Sequence, residues 1–162
     1  MDLQQRAQRI TLLLSDVDGV LTDGSVVLDN QGIETKQFHI RDGLGIKLWR
    51  RAGHRFGMIT GRSSHIVRLR AAELQVEIVR QGVDDKLAVV RQVAAELGVR
   101  LEQICFIGDD LNDLPALECV GLACAVADAA EPVLAVAHYV TQRRGGDGAV
   151  REVCEFLIAA QQ

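Results

Sequence analysis

The chain has 162 residues, 48% of them hydrophobic and 25% charged, with a formal net charge of −4 at pH 7. This length predicts a single domain over residues 1–162. The net negative charge argues against a nucleic-acid partner, which a basic surface would bind. Because no apolar run approaches the ~20 residues that span a bilayer, and the N-terminus lacks signal-peptide character, we expect a cytoplasmic protein without a membrane partner.

The first predicted elements are a strand, a hairpin and a helix. An apolar strand at 10–15 runs directly into Asp16 and Asp18. Turn residues between two β-prone arms predict a β-hairpin over Ser25–Phe38, and a lone hairpin is marginal in water, so we expect it to pair, for example with another subunit. Asp42 is predicted to cap the helix that follows.

Beyond the first helix, short apolar runs alternate with amphipathic segments, which is typical of parallel strands joined by helices. The pattern predicts an α/β fold, a doubly wound, Rossmann-like parallel sheet with helices on both faces and the hairpin as an insertion. The remaining predicted elements are strand 55–60, helix 63–74, strand 76–80, helix 84–97, strand 104–107, short helix 114–119, strand 121–126, helix 132–137, strand 138–141, a Gly-rich loop at 145–148 and helix 149–160.

Polar residues follow the predicted strands at the edge where such a sheet places its ligand crevice. Each of these polar residues, taken alone, could be an ordinary turn or helix-cap residue, but their occurrence together favours a catalytic site. Several carboxylates gathered there need a cation, and oxygen ligands select a hard ion such as Mg²⁺. The groups are Asp16 and Asp18 after the first strand, Thr60, Gly61 and Arg62 after the second, Lys86 at the start of the long helix, and Asp109, Asp110 and Asp113 after the fourth strand.

These segments resemble known motifs. Four of them resemble the motifs of the haloacid dehalogenase superfamily of phosphotransferases: Asp16-Val17-Asp18-Gly19-Val20, Thr60-Gly61, Lys86 and Gly108-Asp109-Asp110. Longer strings are similar to the 3-deoxy-D-manno-octulosonate 8-phosphate phosphatase family: Asp18–Gly24, Arg41–Gly43, Gly108–Asp113, Val120–Leu122 and Gly145–Glu152. The same subfamily includes 9-phosphate phosphatases of nonulosonic acids and a domain of some sialic-acid cytidylyltransferases.

The resemblance implies a role for each motif residue. Asp16 is the expected nucleophile, which forms an aspartyl phosphate. Asp18 is the expected general acid and then general base. Asp16, the Asp18 backbone carbonyl and Asp109 are the expected Mg²⁺ ligands. Thr60 and Lys86 are expected to bind phosphoryl oxygens, while the acids that follow Asp109 are expected to act indirectly or through water.

The substrate that the resemblance implies is a phosphorylated sugar acid, whose carboxylate needs a cation. Arg62 and Arg70 are candidates because they lie roughly on one face of a predicted helix, although each could be a solvated helix residue. Arg62 favours an octulosonate over a nonulosonate substrate, and the family implies a part in lipopolysaccharide biosynthesis. Thr60 and Gly61 complete the expected substrate-binding set.

No cap domain fits between the motifs. Only the hairpin and one helix separate Asp23 from Thr60, and only one helix and one strand separate Thr60 from Lys86. The resemblance implies a homotetramer whose hairpins pair and whose subunits close each other's sites. The Gly-rich loop at 145–148 could also reach an active site, or it could be a simple turn before the last helix.

Two other classes of protein remain as alternatives. A receiver-type phosphoacceptor domain is disfavoured, because in that class the N-terminal acids are adjacent in sequence and the acceptor aspartate lies mid-chain. Here one residue separates Asp16 from Asp18, and Gly19 follows. A non-catalytic oligomerisation module would not need Asp16, Asp18, Lys86 and Asp109 together. The cysteines and histidines lack the spacing of a zinc site or a disulfide framework.

Overall fold

The computed structural model describes residues 1–162. The strands are β1 (Leu12–Ser15), β2 (Val27–Leu28), β3 (Glu34–Thr35), β4 (Arg55–Ile59), β5 (Ile78–Arg80), β6 (Ile104–Gly108), β7 (Leu122–Ala125) and β8 (Tyr139–Val140). The helices are α1 (Leu3–Ala7), α2 (Ile40–Arg51), α3 (His65–Glu73), α4 (Lys86–Leu97), α5 (Leu114–Leu117), α6 (Glu131–Val136) and α7 (Ala149–Ala160). None of the helices combines the length and the apolar character that crossing a bilayer requires.

Six strands form one parallel sheet in the order β5-β4-β1-β6-β7-β8, which confirms the predicted α/β fold. β1 pairs with β4 on one side and β6 on the other, and all four of its residues are buried. Such burial on both faces is usual for a central parallel strand. The residue that follows β1 therefore lies in the middle of the carboxyl edge of the sheet.

The N-terminal cap of α2 differs from the sequence-based expectation. His39 caps the helix, since its Nδ1 accepts the Arg41 N–H at 3.1 Å. Asp42 lies inside α2, is 1% exposed, and accepts the Arg151 N–H of α7 at 2.9 Å. The prediction that Asp42 caps α2 is wrong because this carboxylate caps α7, whose own N-cap residue, Gly148, has no side chain to offer.

The helix after β4 also begins later than predicted. Ser64 caps α3, and its Oγ accepts the Ile66 N–H at 3.2 Å. Arg62 consequently lies in the turn before the helix, whereas Arg70 lies on the helix itself. The expectation that the two arginines share a helical face is wrong, because the cap leaves Arg62 outside the regular turns.

The predicted hairpin is present, with two short arms, β2 and β3, that pair antiparallel. Asp29 builds the turn by accepting the Gln31 and Ile33 N–H groups, each at 2.8 Å. Between β1 and β4 the chain forms only this hairpin and α2, so there is no cap domain there. The hairpin also carries four hydrophobic residues that are 52–59% exposed, namely Val26, Val27, Leu28 and Ile33.

Candidate active site

Asp16 follows the central strand directly and is only 5% exposed. Its Oδ1 accepts the Val17 N–H at 2.6 Å, and its Oδ2 lies 2.9 Å from Lys86 Nζ. Burial, together with repulsion from Asp113, raises the pKa of Asp16 to about 6. The adjacent Lys86 ammonium opposes this rise and favours the ionised form, which a carboxylate nucleophile requires.

Lys86 begins α4 and is 2% exposed. Its Nζ lies 2.9 Å from Asp16 and 2.6 Å from Asp113, so one ammonium bridges two buried carboxylates. Burial alone would lower the pKa of Lys86, but the two carboxylates outweigh that effect and raise it. The side chain stays charged, and it holds Asp16 in a fixed orientation.

Asp113 is fully buried and connects Lys86 to the loop after β6. While Oδ1 accepts from Lys86, Oδ2 accepts the Asp109 N–H at 2.9 Å and the Asp110 N–H at 3.3 Å. The side chain thus fixes both the ammonium and the backbone of the loop. This arrangement fits the indirect role that the sequence predicted for Asp113, whereas Asp110 caps the next turn and is exposed.

Three carboxylates at this edge fit a divalent cation. Oxygen atoms of Asp16, Asp109 and Asp113 all lie within 4.8 Å of one another. The buried Oδ1 of Asp109 has no hydrogen-bond partner, and burial together with the charges of Asp16 and Asp113 raises the pKa of Asp109 to about 8. One ammonium does not balance this charge, and an all-oxygen donor set suits a hard ion such as Mg²⁺.

Asp18 points toward the hairpin rather than into this cluster. Its Oδ2 accepts a hydrogen bond from the Thr60 hydroxyl at 3.4 Å, and its Oδ1 forms an ion pair with Lys36. Thr60 is 2% exposed, and its Oγ1 also accepts the Arg62 N–H at 3.3 Å. The two acids of the first motif therefore have different surroundings, which separate roles in catalysis require.

The two candidate arginines differ in position. Arg62 is half-exposed at the rim of the site, where its Nη2 lies 3.0 Å from Glu34 Oε1. Arg70 pairs with Glu73 at 2.8 Å and donates to the His39 carbonyl at 3.3 Å. Within one chain, Arg62 therefore lies next to the other predicted site residues, whereas Arg70 lies beside the start of α2.

The Gly-rich loop at 145–148 packs on the segment after β1 of its own chain. A Cβ at Gly145 would lie 1.8 Å from the Gly19 carbonyl oxygen, and one at Gly146 would lie 2.5 Å from the backbone of residues 22 and 23. The loop therefore supports the catalytic segment and also leads into α7. Gly61 is less crowded, since its added Cβ would meet its nearest atom, a carbonyl oxygen, at 3.4 Å.

Sequence reasoning missed Glu34 and Lys36, which enter the site from the second arm of the hairpin. The side chain of Lys36 is 1% exposed, and its Nζ lies 3.2 Å from Glu34 Oε1. The alternating positions of the two residues placed them on one face of a strand. That pattern did not show which face would turn toward Asp18.

Sequence comparison gives the family of the chain. Residues 69–153 match the model of the haloacid dehalogenase-like hydrolases. Over 160 residues the chain is 46% identical to the 3-deoxy-D-manno-octulosonate 8-phosphate phosphatase of Yersinia pestis, covering 99% of this chain and 86% of that protein. The chain belongs to the 3-deoxy-D-manno-octulosonate 8-phosphate phosphatase family. This confirms the resemblance seen in the motifs and the prediction that the protein is a phosphatase.

Solved structures extend the likeness to the whole fold of this octulosonate phosphatase family. The Yersinia pestis enzyme superposes with a TM-score of 0.97, over 99% of this chain and 86% of that one. The enzyme of Moraxella catarrhalis, in complex with a magnesium ion, a phosphate ion and a KDO molecule, is 43% identical with a TM-score of 0.96, over 98% and 91%. A cobalt-bound enzyme of Haemophilus influenzae is 39% identical with a TM-score of 0.94, over 97% and 92%.

Proposed function

We propose that this protein hydrolyses 3-deoxy-D-manno-octulosonate 8-phosphate to 3-deoxy-D-manno-octulosonate and phosphate, with Mg²⁺ as its cofactor. The observation that carries the proposal is the buried pairing of Asp16 with Lys86 at the centre of the carboxyl edge, beside the unpartnered Asp109 oxygen. Arg62 at the rim supplies a cation for the carboxylate of a sugar acid. A nonulosonic acid 9-phosphate is the alternative substrate.

In the first step a carboxylate oxygen of Asp16 attacks phosphorus, and the bond from phosphorus to the sugar oxygen breaks. In the substrate complex Asp18 carries a proton, which it donates to that leaving oxygen, so the products are the sugar alcohol and an aspartyl phosphate. Lys86 and Thr60 bind the non-bridging oxygens of the phosphoryl group. Because Asp113 fixes Lys86, the ammonium is already in place before negative charge develops in the transition state.

In the second step Asp18, now ionised, takes a proton from a water molecule. The water oxygen attacks phosphorus, the bond to Asp16 breaks, and inorganic phosphate leaves. Before substrate binds, the Thr60 hydroxyl donates to Asp18 Oδ2 and so orients that carboxyl group. Each group ends the cycle in its starting protonation state.

The proposed Mg²⁺ ligands are Asp16, the backbone carbonyl of Asp18, and Asp109. When bound, the ion neutralises negative charge on the carboxylates and on the phosphoryl group. The unpartnered Oδ1 and the raised pKa of Asp109, to about 8, fit a ligand that must release its proton to the solvent before it binds a cation.

We also propose a cytoplasmic homotetramer that acts in lipopolysaccharide biosynthesis. The exposed apolar residues of the hairpin support pairing between subunits, since a surface patch of this kind usually marks an interface. Arg70 stays a proposed ligand of the substrate carboxylate. Its contacts with Glu73 and the His39 carbonyl place it beside the start of α2, so in this role it would have to reach a site across a subunit interface.

Phosphate release from a panel of esters tests this function. We expect the highest kcat/KM with 3-deoxy-D-manno-octulosonate 8-phosphate, about 10-fold or more above a nonulosonic acid 9-phosphate. Excess chelator should remove the activity, and added Mg²⁺ should restore it. Equal or better turnover of the nonulosonate would overturn the choice of substrate, and full activity in chelator would overturn the role of the metal.

A further inference from the structure

The second arm of the hairpin contributes two charged side chains to the site, and neither has a role in the two proposed steps. Glu34 and Lys36 are alternate residues of an extended arm and therefore share a face. Their side chains are 18% and 1% exposed, whereas the apolar residue between the arms, Ile33, is 57% exposed. The charged face of this arm thus turns inward, to the site of its own subunit.

These side chains complete a line of alternating charges across the mouth of the site. Lys36 forms ion pairs with Asp18 and with Glu34, the latter at 3.2 Å. The same oxygen of Glu34, Oε1, lies 3.0 Å from Arg62 Nη2. One carboxylate oxygen consequently fixes two long cationic side chains, one beside Asp18 and one at the rim.

The contacts of Lys36 leave room for a ligand oxygen. An ammonium has three N–H donors, of which Asp18 and Glu34 occupy two. The leaving oxygen of a substrate must approach Asp18 to receive its proton, which brings that oxygen near Lys36 Nζ. The other buried ammonium, Lys86, pairs with Asp16 and Asp113, and its third N–H has the separate role of binding a non-bridging phosphoryl oxygen.

We propose that Lys36 is a catalytic residue that donates its third N–H to the leaving oxygen while the bond to phosphorus breaks. Glu34 is then a positioning residue, which sets Lys36 beside Asp18 and Arg62 at the rim. The inference rests on the proposed function only in the role of Asp18 toward the leaving group. It holds for any phosphomonoester and does not depend on which sugar acid is the natural substrate.

The test compares two esters without a carboxylate, phenyl phosphate and p-nitrophenyl phosphate, at saturating Mg²⁺. Phenolate is the poorer leaving group, so it depends more on a donor to its oxygen. We expect Lys36→Met to lower kcat/KM, which reports the step in which the leaving group departs, about 100-fold on phenyl phosphate, the usual cost of one such donor, and several-fold less on the nitrophenyl ester. Lys36→Arg should recover part of the loss, since it restores a charged donor.

Glu34→Gln probes positioning through the same measurement. This change should lower kcat/KM by a smaller factor than Lys36→Met, again more on phenyl phosphate than on the nitrophenyl ester. Combined with Lys36→Met, it should cause little further loss. Glu96→Gln is the matched control, because Glu96 pairs with Arg80 at 2.7 Å near the opposite end of α4 from Lys86, and it should keep wild-type kcat.

An equal loss of kcat/KM on both esters, or no loss, would overturn the proposal. Thermal melting of every variant separates misfolding from a change in chemistry. If Lys36→Met does not fold, the comparison between the esters is made with Lys36→Arg and Glu34→Gln, and a uniform effect in both overturns the proposal equally. Failure of the octulosonate ester as a substrate would contradict the proposed function but would leave this result intact.

Discussion

Replacing Asp16 by asparagine should abolish turnover and leave the fold intact. The amide is a poor nucleophile, and spontaneous phosphomonoester hydrolysis is so slow that enzymes accelerate it by up to ~10²¹-fold. We expect kcat to fall by at least about 10⁴-fold, the scale seen when a covalent nucleophile is removed. Phosphate release at saturating Mg²⁺ measures this loss.

The stability of the same variant checks that the loss is chemical. Burial and Asp113 raise the pKa of Asp16 to about 6, so its ionisation above that pH costs stability in the metal-free protein, and asparagine removes this cost. The amide oxygen can still accept the Val17 N–H, and Lys86 keeps Asp113 as a partner. We expect an unchanged or higher melting temperature in chelator at pH 7.5.

A matched control for Asp16→Asn is Asp2→Asn, at the N-cap of α1. Asparagine caps a helix about as well as aspartate, so this variant should keep both its stability and its activity. Residual activity above about one percent in Asp16→Asn would contradict the assignment of the nucleophile, because loss of such a group costs orders of magnitude more.

Lys86→Met should both inactivate and destabilise the protein. The change leaves Asp16 and Asp113 buried beside each other without their common cation. Breaking a buried ion pair by removing one partner costs about 3–5 kcal/mol, and we expect a loss of that size in the free energy of unfolding at pH 7.5. Urea unfolding in the presence of chelator measures it.

The pH dependence of this destabilisation has a definite sign. Without the ammonium the pKa of Asp16 rises further in the folded state, so the cost appears as pH increases above the unfolded value near 4. The loss of stability should therefore be smaller at pH 5 than at pH 7.5. Lys86→Met combined with Asp113→Asn should recover part of the stability but none of the activity, and an equal loss at both pH values would contradict the buried pairing.

Several features of the fold and site followed from the sequence alone. Parallel strands direct their carboxyl ends to one edge of the sheet, so the sequence predicts that Asp16, Thr60 and Asp109 lie in one crevice. Lys86 could be placed with them because it lies in the first turn of the predicted helix 84–97; in the structure Asp85 caps α4 and Lys86 is its first residue. The last helix was predicted with its observed bounds, Ala149–Ala160, since its apolar spacing begins directly after a Gly-rich loop.

The features that were missed depend on contacts between distant parts of the chain. Asp42 caps α7 through a residue 109 positions away, and no local pattern distinguishes that cap from a cap of its own helix. The inward turn of Lys36 depends on how the hairpin packs on Asp18, which strand alternation alone does not determine. The mistaken placing of Arg62 and Arg70 on one helical face has a local cause instead, because Ser64 caps α3 and leaves Arg62 outside the helix.

Two successive displacements at phosphorus, first by Asp16 and then by water, are the core of the proposed reaction. The stereochemical course at phosphorus tests them most directly, with a phosphorothioate ester made chiral by oxygen isotopes and hydrolysed in isotopically labelled water. Each in-line displacement inverts the configuration, so an aspartyl phosphate intermediate predicts net retention. Net inversion would mean that water attacks the substrate directly, and it would contradict Asp16 as a covalent nucleophile.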